Sequence, residues 1–343
     1  MQVASSVKST VYSTAYYSGL SRAFALRYRG RGVIFVLHSV TENGTLQLDE
    51  TLRCPVGTLE WTLQRLRRQG VELVSLDAAV ERLEAPSSGR FAAFTFDDGF
   101  ADNLTRALPV METFAAPFTV YVTTGMITRD LDAWWFGLAA LIRARDRIEL
   151  PAFGGHFDCA DWAGKRRVYA RITAAVHGNF DLLQPLQEAI KSSGIVIRDL
   201  VHREALTTTQ LQSLARHPLV TIGGHTTTHG NLARAAAATV RSEMADNRKF
   251  LSDVTGMRIE HVAYPFGHPD ACGAREAEIA RSLGFRTGVT TRPGTVFAEH
   301  RHHLHALPRA CIGYDETAST LDCKITGFNR AMHSRLGNPI ARM

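Results

Sequence analysis

Two stretches of the sequence carry groups that could do chemistry. In "FAAFTFDDGF" (residues 91–100) an apolar run ends in adjacent carboxylates, Asp97 and Asp98, followed by Gly99. In "LVTIGGHTTTH" (219–229) another apolar run ends in His225 and His229, four residues apart. Charges at the end of a buried strand cost several kcal/mol unless something compensates them. Imidazoles four apart on one helical turn would face the same side. Two imidazoles and one carboxylate form a common catalytic set for zinc and similar divalent ions, with a coordination position left open for water. One aspartate can then be a ligand while the other sits close to the ion, which offsets their mutual repulsion. Gly99 allows the sharp turn that brings both carboxyl groups to one place.

The elements that must position these groups alternate as short apolar strands and amphipathic helices, the pattern of a parallel α/β architecture. Strands are expected at 32–40, 71–76, 91–96, 117–124, 219–226, 261–267, 285–291 and 306–313. Helices are expected near 57–70, 77–84, 102–115, 207–218, 236–254 and 274–284. The alternation stops from about 126 to 206, a mainly helical insertion that carries Trp134 and Trp135. Seven or eight strands with intervening helices suffice to close a barrel, whose chemistry gathers at the C-terminal strand ends. The expected organisation is an N-terminal, helical extension (1–31), a barrel over 32–316 containing the insertion, and a tail (317–343) with little signal.

A third strand end, "AYPFG" (263–267), completes a resemblance to the NodB-homology polysaccharide deacetylases, carbohydrate esterase family 4. Their T-F-D-D-G motif is Thr95–Gly99, and their H-[ST]-x-x-H motif is His225–His229. Their R-x-P-[FY]-G motif corresponds to residues 263–267, and the match covers about 32–125 and 207–313 in family order. The resemblance implies a distorted (β/α)7–8 barrel of α/β class that hydrolyses N-acetyl groups of amino sugars. It implies Asp97 as general base and Asp98, His225 and His229 as ligands of a divalent metal, Zn2+ first, with Co2+ or Mn2+ as alternatives. It also suggests the Phe266 backbone N–H for the oxyanion, with Tyr264 in the same turn facing substrate.

Two departures from the family follow. Its third-motif arginine falls on Ala263, so another group must support Asp97, and Arg309 in "ALPRACI" is the candidate. Its L-x-H acid has no clean copy, and among His300, His302, His303 and His305 the last lies nearest a strand. His38, at the first strand end, either touches substrate or packs in the core. Trp135 either stacks on sugar or packs. The altered third motif and the Trp-Trp insertion look like the deacetylases that accompany exopolysaccharide synthesis.

Composition bounds the setting. The 343 residues are 45% hydrophobic, with 39 Lys/Arg against 33 Asp/Glu and no basic block of the kind that marks a nucleic-acid arm. Five widely spaced cysteines form no CxxC and read as reduced thiols. No run of about 18 apolar residues occurs, nor a signal-peptide h-region, so the expected location is cytoplasmic or inner-membrane-associated. Residues 7–28 either dock on their own domain or make peripheral contact with a membrane. The expected partner is an N-acetylated polysaccharide, oligosaccharide or lipid-linked sugar. Two alternatives stand beside this reading: an amidohydrolase of a non-carbohydrate substrate, and an inactive sugar-binding module.

Overall fold

The apolar runs become eight strands: β1 (Gly32–Leu37), β2 (Glu72–Leu73), β3 (Phe91–Phe96), β4 (Phe118–Val122), β5 (Val220–Gly224), β6 (His261–Ala263), β7 (Thr287–Val289) and β8 (Ala310–Cys311). They are seen in a computed structural model that describes residues 2–45, 47–49, 52–84 and 89–343, with side chains from residue 9 onward. Every pairing in this sheet is parallel, in the order β7–β6–β5–β4–β3–β1–β8, with β2 against the start of β3. Strands β1, β3 and β4 are buried at every position, which is why they read as unbroken apolar runs.

The sheet curls until its edges meet. Leu307 donates to the Gly288 carbonyl of β7 at 3.0 Å, and the Thr290 N–H donates to Leu307 at 2.9 Å. Three residues later Ala310 is paired with Phe35 of β1. The segment 307–311 therefore spans the gap between the outer strands, giving the distorted barrel that the alternation of elements predicts. Tertiary packing shortens β6 to β8 relative to the apolar runs that contain them, because Pro265, Pro308 and the turns beside them cannot continue a ladder.

The insertion is mainly helical: Trp134–Ala144, Trp162–Gly178, Leu183–Ser192 and Ile197–Glu204. It also contains an antiparallel hairpin, Arg147–Leu150 with Gly155–Asp158. Its helices bury a core of their own around Leu138, Ile142, Ile172, Leu186 and Ile190. The chain ends add helices at Gln2–Tyr17, Leu20–Tyr28, Ala318–Ile325 and Phe328–His333. Among the described residues no helix is long and apolar enough to cross a membrane.

Candidate metal centre and active site

Beyond β3 the chain turns at once. Asp98 and Gly99 both adopt positive φ, 78° and 90°, and an added Cβ on Gly99 would lie 3.1 Å from Val122. This left-handed turn is what a glycine permits and an aspartate tolerates. It seats both carboxyl groups at the C-terminal end of the sheet, where Asp97 is 2% and Asp98 4% exposed.

The histidine pair reaches the same place by another route. Residues 225–229 form no helical turn; they are an irregular loop in which Thr226 and His229 have φ of 63° and 55°. The four-residue spacing therefore works through two left-handed residues, and not through helical periodicity. Glu243 holds this loop, accepting the N–H groups of Thr227 and Thr228 at 2.8 and 2.9 Å. One turn further along the same helix (Ala237–Thr255), Asn247 accepts the His225 N–H at 3.1 Å and donates to Val122 and Thr124. Four non-glycine residues around the site, Asp98, Thr226, His229 and Phe266, share the left-handed region, backbone strain of the kind that concentrates at functional sites.

Asp98 Oδ1 lies 3.4 Å from His225 Nε2 and 3.3 Å from His229 Nε2. One donor atom from each of the three lies within 4.8 Å of the others. His225 Nδ1 is 2.8 Å from the Ala263 carbonyl, so it donates there and leaves Nε2 as the free lone pair. Asp98 Oδ1 is buried with no hydrogen-bond partner. A neutral imidazole oriented from behind, a second imidazole and a buried carboxylate oxygen without a donor make a set that fits a divalent ion. Burial raises the Asp98 pKa, but the two histidines outweigh it and hold the carboxyl well below its ordinary value.

Asp97 faces a different partner. Arg309, in the segment that closes the barrel, donates Nη1 to Asp97 Oδ1 at 2.7 Å and Nη2 to Oδ2 at 2.6 Å. Its remaining donors reach Thr95 Oγ1 and the Thr290 carbonyl, both at 2.9 Å. Burial alone raises the Asp97 pKa; the guanidinium reverses this, and the net direction is down. The chain thus fills the gap left by Ala263 from a strand end elsewhere in the barrel.

Aromatic side chains wall the site. Trp135, from the insertion, stands 5.3 Å from the His229 ring, and Phe266 stands 5.0 Å from it. His177 and Phe180 cover Phe266 at 5.4 and 6.0 Å. Trp134 instead belongs to the core of the insertion. A cavity of about 320 Å³ opens beside Trp135 and is lined also by Arg53, Arg143, Tyr169 and Arg203. No internal partner of the Phe266 N–H occurs among the described hydrogen bonds.

The structure separates two sequence-predicted residues from the rest. His305 Nε2 lies 2.7 Å from the Phe285 carbonyl, which precedes β7, so the ring points to the N-terminal end of the sheet. The turn Leu304–Ala306 aims it there, and closeness to a strand in sequence carried no information on that direction. Tyr264 is fully buried and donates to the His305 carbonyl at 2.8 Å, a core residue of the barrel. His38, by contrast, is brought to the site. Its Nδ1 is buried without a partner, and its ring is close enough to feel both carboxylates. Burial lowers the His38 pKa more than Asp98 and Asp97 raise it. Sequence reasoning missed Glu243 and Asn247. The available signal was a polar Asn247 in the otherwise apolar stripe Val240, Met244, Leu251.

Comparison with known proteins supplies the family. The sequence model of the polysaccharide deacetylase family matches residues 84–288. The chain belongs to the polysaccharide deacetylase family. A putative polysaccharide deacetylase of Bacillus subtilis, YxkH, is 30% identical over 112 residues. That match spans 33% of this chain and only 38% of YxkH, so the likeness is confined to part of the relative. Among solved structures, the deacetylase PplD of Streptococcus pyogenes superposes with a TM-score of 0.56 at 17% identity, over 85% of this chain and 97% of PplD. IcaB of Ammonifex degensii gives 0.55 at 15% identity, over 87% and 97%. At such identities the two structures establish the barrel fold of this chain and nothing finer.

Proposed function

We propose that this polysaccharide deacetylase hydrolyses N-acetyl groups on an amino-sugar glycan, an oligosaccharide or a lipid-linked sugar. The observation that carries the reading is the juxtaposition of two differently tuned aspartates: Asp98 facing two imidazoles, and Asp97 clamped by Arg309. Environments that push paired carboxyl groups into different partnerships assign them different roles.

Asp98, His225 and His229 would hold a divalent ion, with Zn2+ the first choice for this donor set. When bound, the ion supplies Lewis acidity, which polarises an amide carbonyl and makes a water more acidic. Asp97 then takes the proton of the attacking water on a carboxylate oxygen; Arg309 keeps that carboxylate ionised and fixed in plane. The Phe266 N–H is the backbone donor for the oxyanion, supported by its lack of an internal partner. The proton that Asp97 takes from the water is the one delivered to the leaving amine, and His38 relays it, supported by its buried Nδ1 without a partner. His305 is not used, because its Nε2 is committed to the Phe285 carbonyl. Trp135 and Phe266 flank the sugar ring. Five cysteines, none of them in a disulfide among the described residues, favour a reducing compartment, hence a cytoplasmic enzyme that meets its glycan during synthesis.

The test is acetate release from N-acetylglucosamine oligomers by metal-stripped protein, with and without Zn2+, Co2+ or Mn2+, beside Asp97→Asn. Metal-dependent acetate that disappears in Asp97→Asn supports the reading. Metal binding without acetate from any N-acetylated glycan transfers the site to a non-carbohydrate amide. Failure to bind metal leaves a sugar-binding module.

A further inference from the structure

Seven large hydrophobic side chains are exposed among the described residues, and five of them stand on helices or turns of the two chain ends: Tyr17, Leu20, Leu26, Met332 and Leu336. Leu26 is 95% and Tyr17 82% exposed. The ends are one packed layer. Ser21 Oγ donates to Asp322 Oδ2 at 2.6 Å, Tyr28 Oη donates to the Gly337 carbonyl at 2.9 Å, and Phe24 meets Phe328 edge-on at 5.2 Å. Gly327, at φ 75°, lies so close to the Tyr28 carbonyl that a Cβ there would come within 1.9 Å of its oxygen.

Charge segregates to the same two ends. Residues 1–41 and 323–343 contain nine Lys/Arg (Lys8, Arg22, Arg27, Arg29, Arg31, Lys324, Arg330, Arg335, Arg342) and no Asp or Glu. The rest of the chain holds 30 basic and 33 acidic residues, so the net charge of +6 arises entirely from the ends. No ion pair reaches Arg22, Arg27, Arg29 or Arg335 among the described residues. On the helix Leu20–Tyr28, Arg22 stands one turn before the exposed Leu26, Arg27 follows it, and Arg29 stands one turn beyond Leu26.

We propose that this terminal helical layer docks the protein on the surface of an anionic lipid bilayer, without crossing it. Leu20, Leu26 and Tyr17 enter the interface, and the arginines around them meet headgroup phosphates; both parts are needed for stable peripheral attachment. A nucleic acid would use the cations and leave the aliphatic side chains in water. A second copy of the chain would set Arg22, Arg27, Arg29 and Arg335 of one layer against the same arginines of the other. The proposal does not rest on the hydrolytic reading, although a surface-docked enzyme suits an acceptor carried on a lipid.

The experiment is co-sedimentation of the full chain with sucrose-loaded vesicles, of phosphatidylcholine alone or with about 30% phosphatidylglycerol, at low and high salt. Binding to the anionic vesicles, at least tenfold weaker at high salt and at least tenfold weaker to the neutral ones, is expected. Leu20→Glu/Leu26→Glu and Arg22→Glu/Arg27→Glu should each weaken it at least tenfold while circular dichroism stays unchanged, since all four side chains are exposed. Three results overturn the proposal: equal binding to neutral vesicles, no binding to either, or anionic binding that the leucine pair does not affect. The last would mark a purely polyanion-binding face. A dimer in light scattering that the leucine pair dissolves would also overturn it, by assigning the patch to a second copy.

Discussion

Arg309 clamps Asp97 through two hydrogen bonds of 2.7 and 2.6 Å across 212 residues of sequence, with both side chains withdrawn from solvent. The arginine sits in the segment that joins the two edges of the barrel, so barrel closure and the position of the proposed base are one structural event. A bidentate guanidinium–carboxylate pair fixes the carboxylate plane as well as its charge.

Removing one partner of a buried pair leaves the other uncompensated, at about 3–5 kcal/mol. Arg309→Met is therefore expected to lower the urea midpoint markedly and to reduce kcat/KM about a hundredfold or more. Arg309→Lys, which keeps the charge but loses the fork, should recover most of the stability and little of the rate. Equal rates in wild type and Arg309→Met would remove Arg309 from the support of the base.

An ion bound only by the folded state stabilises it by mass action, by about 2.7 kcal/mol at a hundred times Kd. Saturating Zn2+ should therefore raise the thermal midpoint of metal-stripped protein by several degrees. Asp98→Asn and His229→Ala should each abolish that rise. Calorimetry decides: an undiminished rise in both variants would put the ion elsewhere.

A pH effect is expected from a carboxyl that the proposed mechanism does not use. Burial raises the Asp102 pKa from 3.8 to about 6, against hydrogen bonds from Ser39 and the Val40 N–H. The folded state then holds a proton that the unfolded chain has lost between these two values. Stability attributable to Asp102 is present below the unfolded pKa and is lost as pH rises through about 6. The whole step is about 3 kcal/mol at most by linkage. Urea midpoints of wild type minus Asp102→Asn should fall between pH 4 and 7; a flat difference would contradict the assignment.

The four residues of the proposed metal and base set were legible as candidates because each pair follows an apolar run directly and the chemistry of the pair is local. Arg309 was legible only as a basic residue at a strand end, since its partner depends on how the barrel closes. His305 misled for the converse reason: a single turn of irregular backbone reverses the direction of a side chain without leaving a mark in composition. The hairpin Arg147–Leu150 with Gly155–Asp158 went unread because each strand is four residues long and alternates exposed with buried positions for most of its length, too short for a periodic signal. The helices of the tail were missed likewise. Ala318–Ile325 and Phe328–His333 bury themselves against the N-terminal helices, a tertiary contact that local sequence does not announce.

Asn247 offers the sharpest separation of architecture from chemistry. It touches no proposed reacting atom, yet it spends three hydrogen bonds on positioning: one accepted from His225 N–H, two donated to the Val122 carbonyl and Thr124 Oγ1. Asn247→Leu preserves approximate volume and leaves Thr124 Oγ1 without its donor, at about 1–3 kcal/mol, while the His225 N–H keeps a second acceptor, the Val122 carbonyl at 3.1 Å. One of the two restraints on the His225 backbone is then lost, which loosens the direction of the Nε2 lone pair. Asn247→Asp, in contrast, keeps an acceptor for the His225 N–H but loses the donors. Both variants should weaken Zn2+ binding by about tenfold or more, the range seen when groups behind a metal ligand are removed. Comparable losses of affinity in the two variants, with the Leu variant still folded by near-ultraviolet circular dichroism, would mark Asn247 as a positioning residue for His225; unchanged affinity in both would reduce it to a core hydrogen bond.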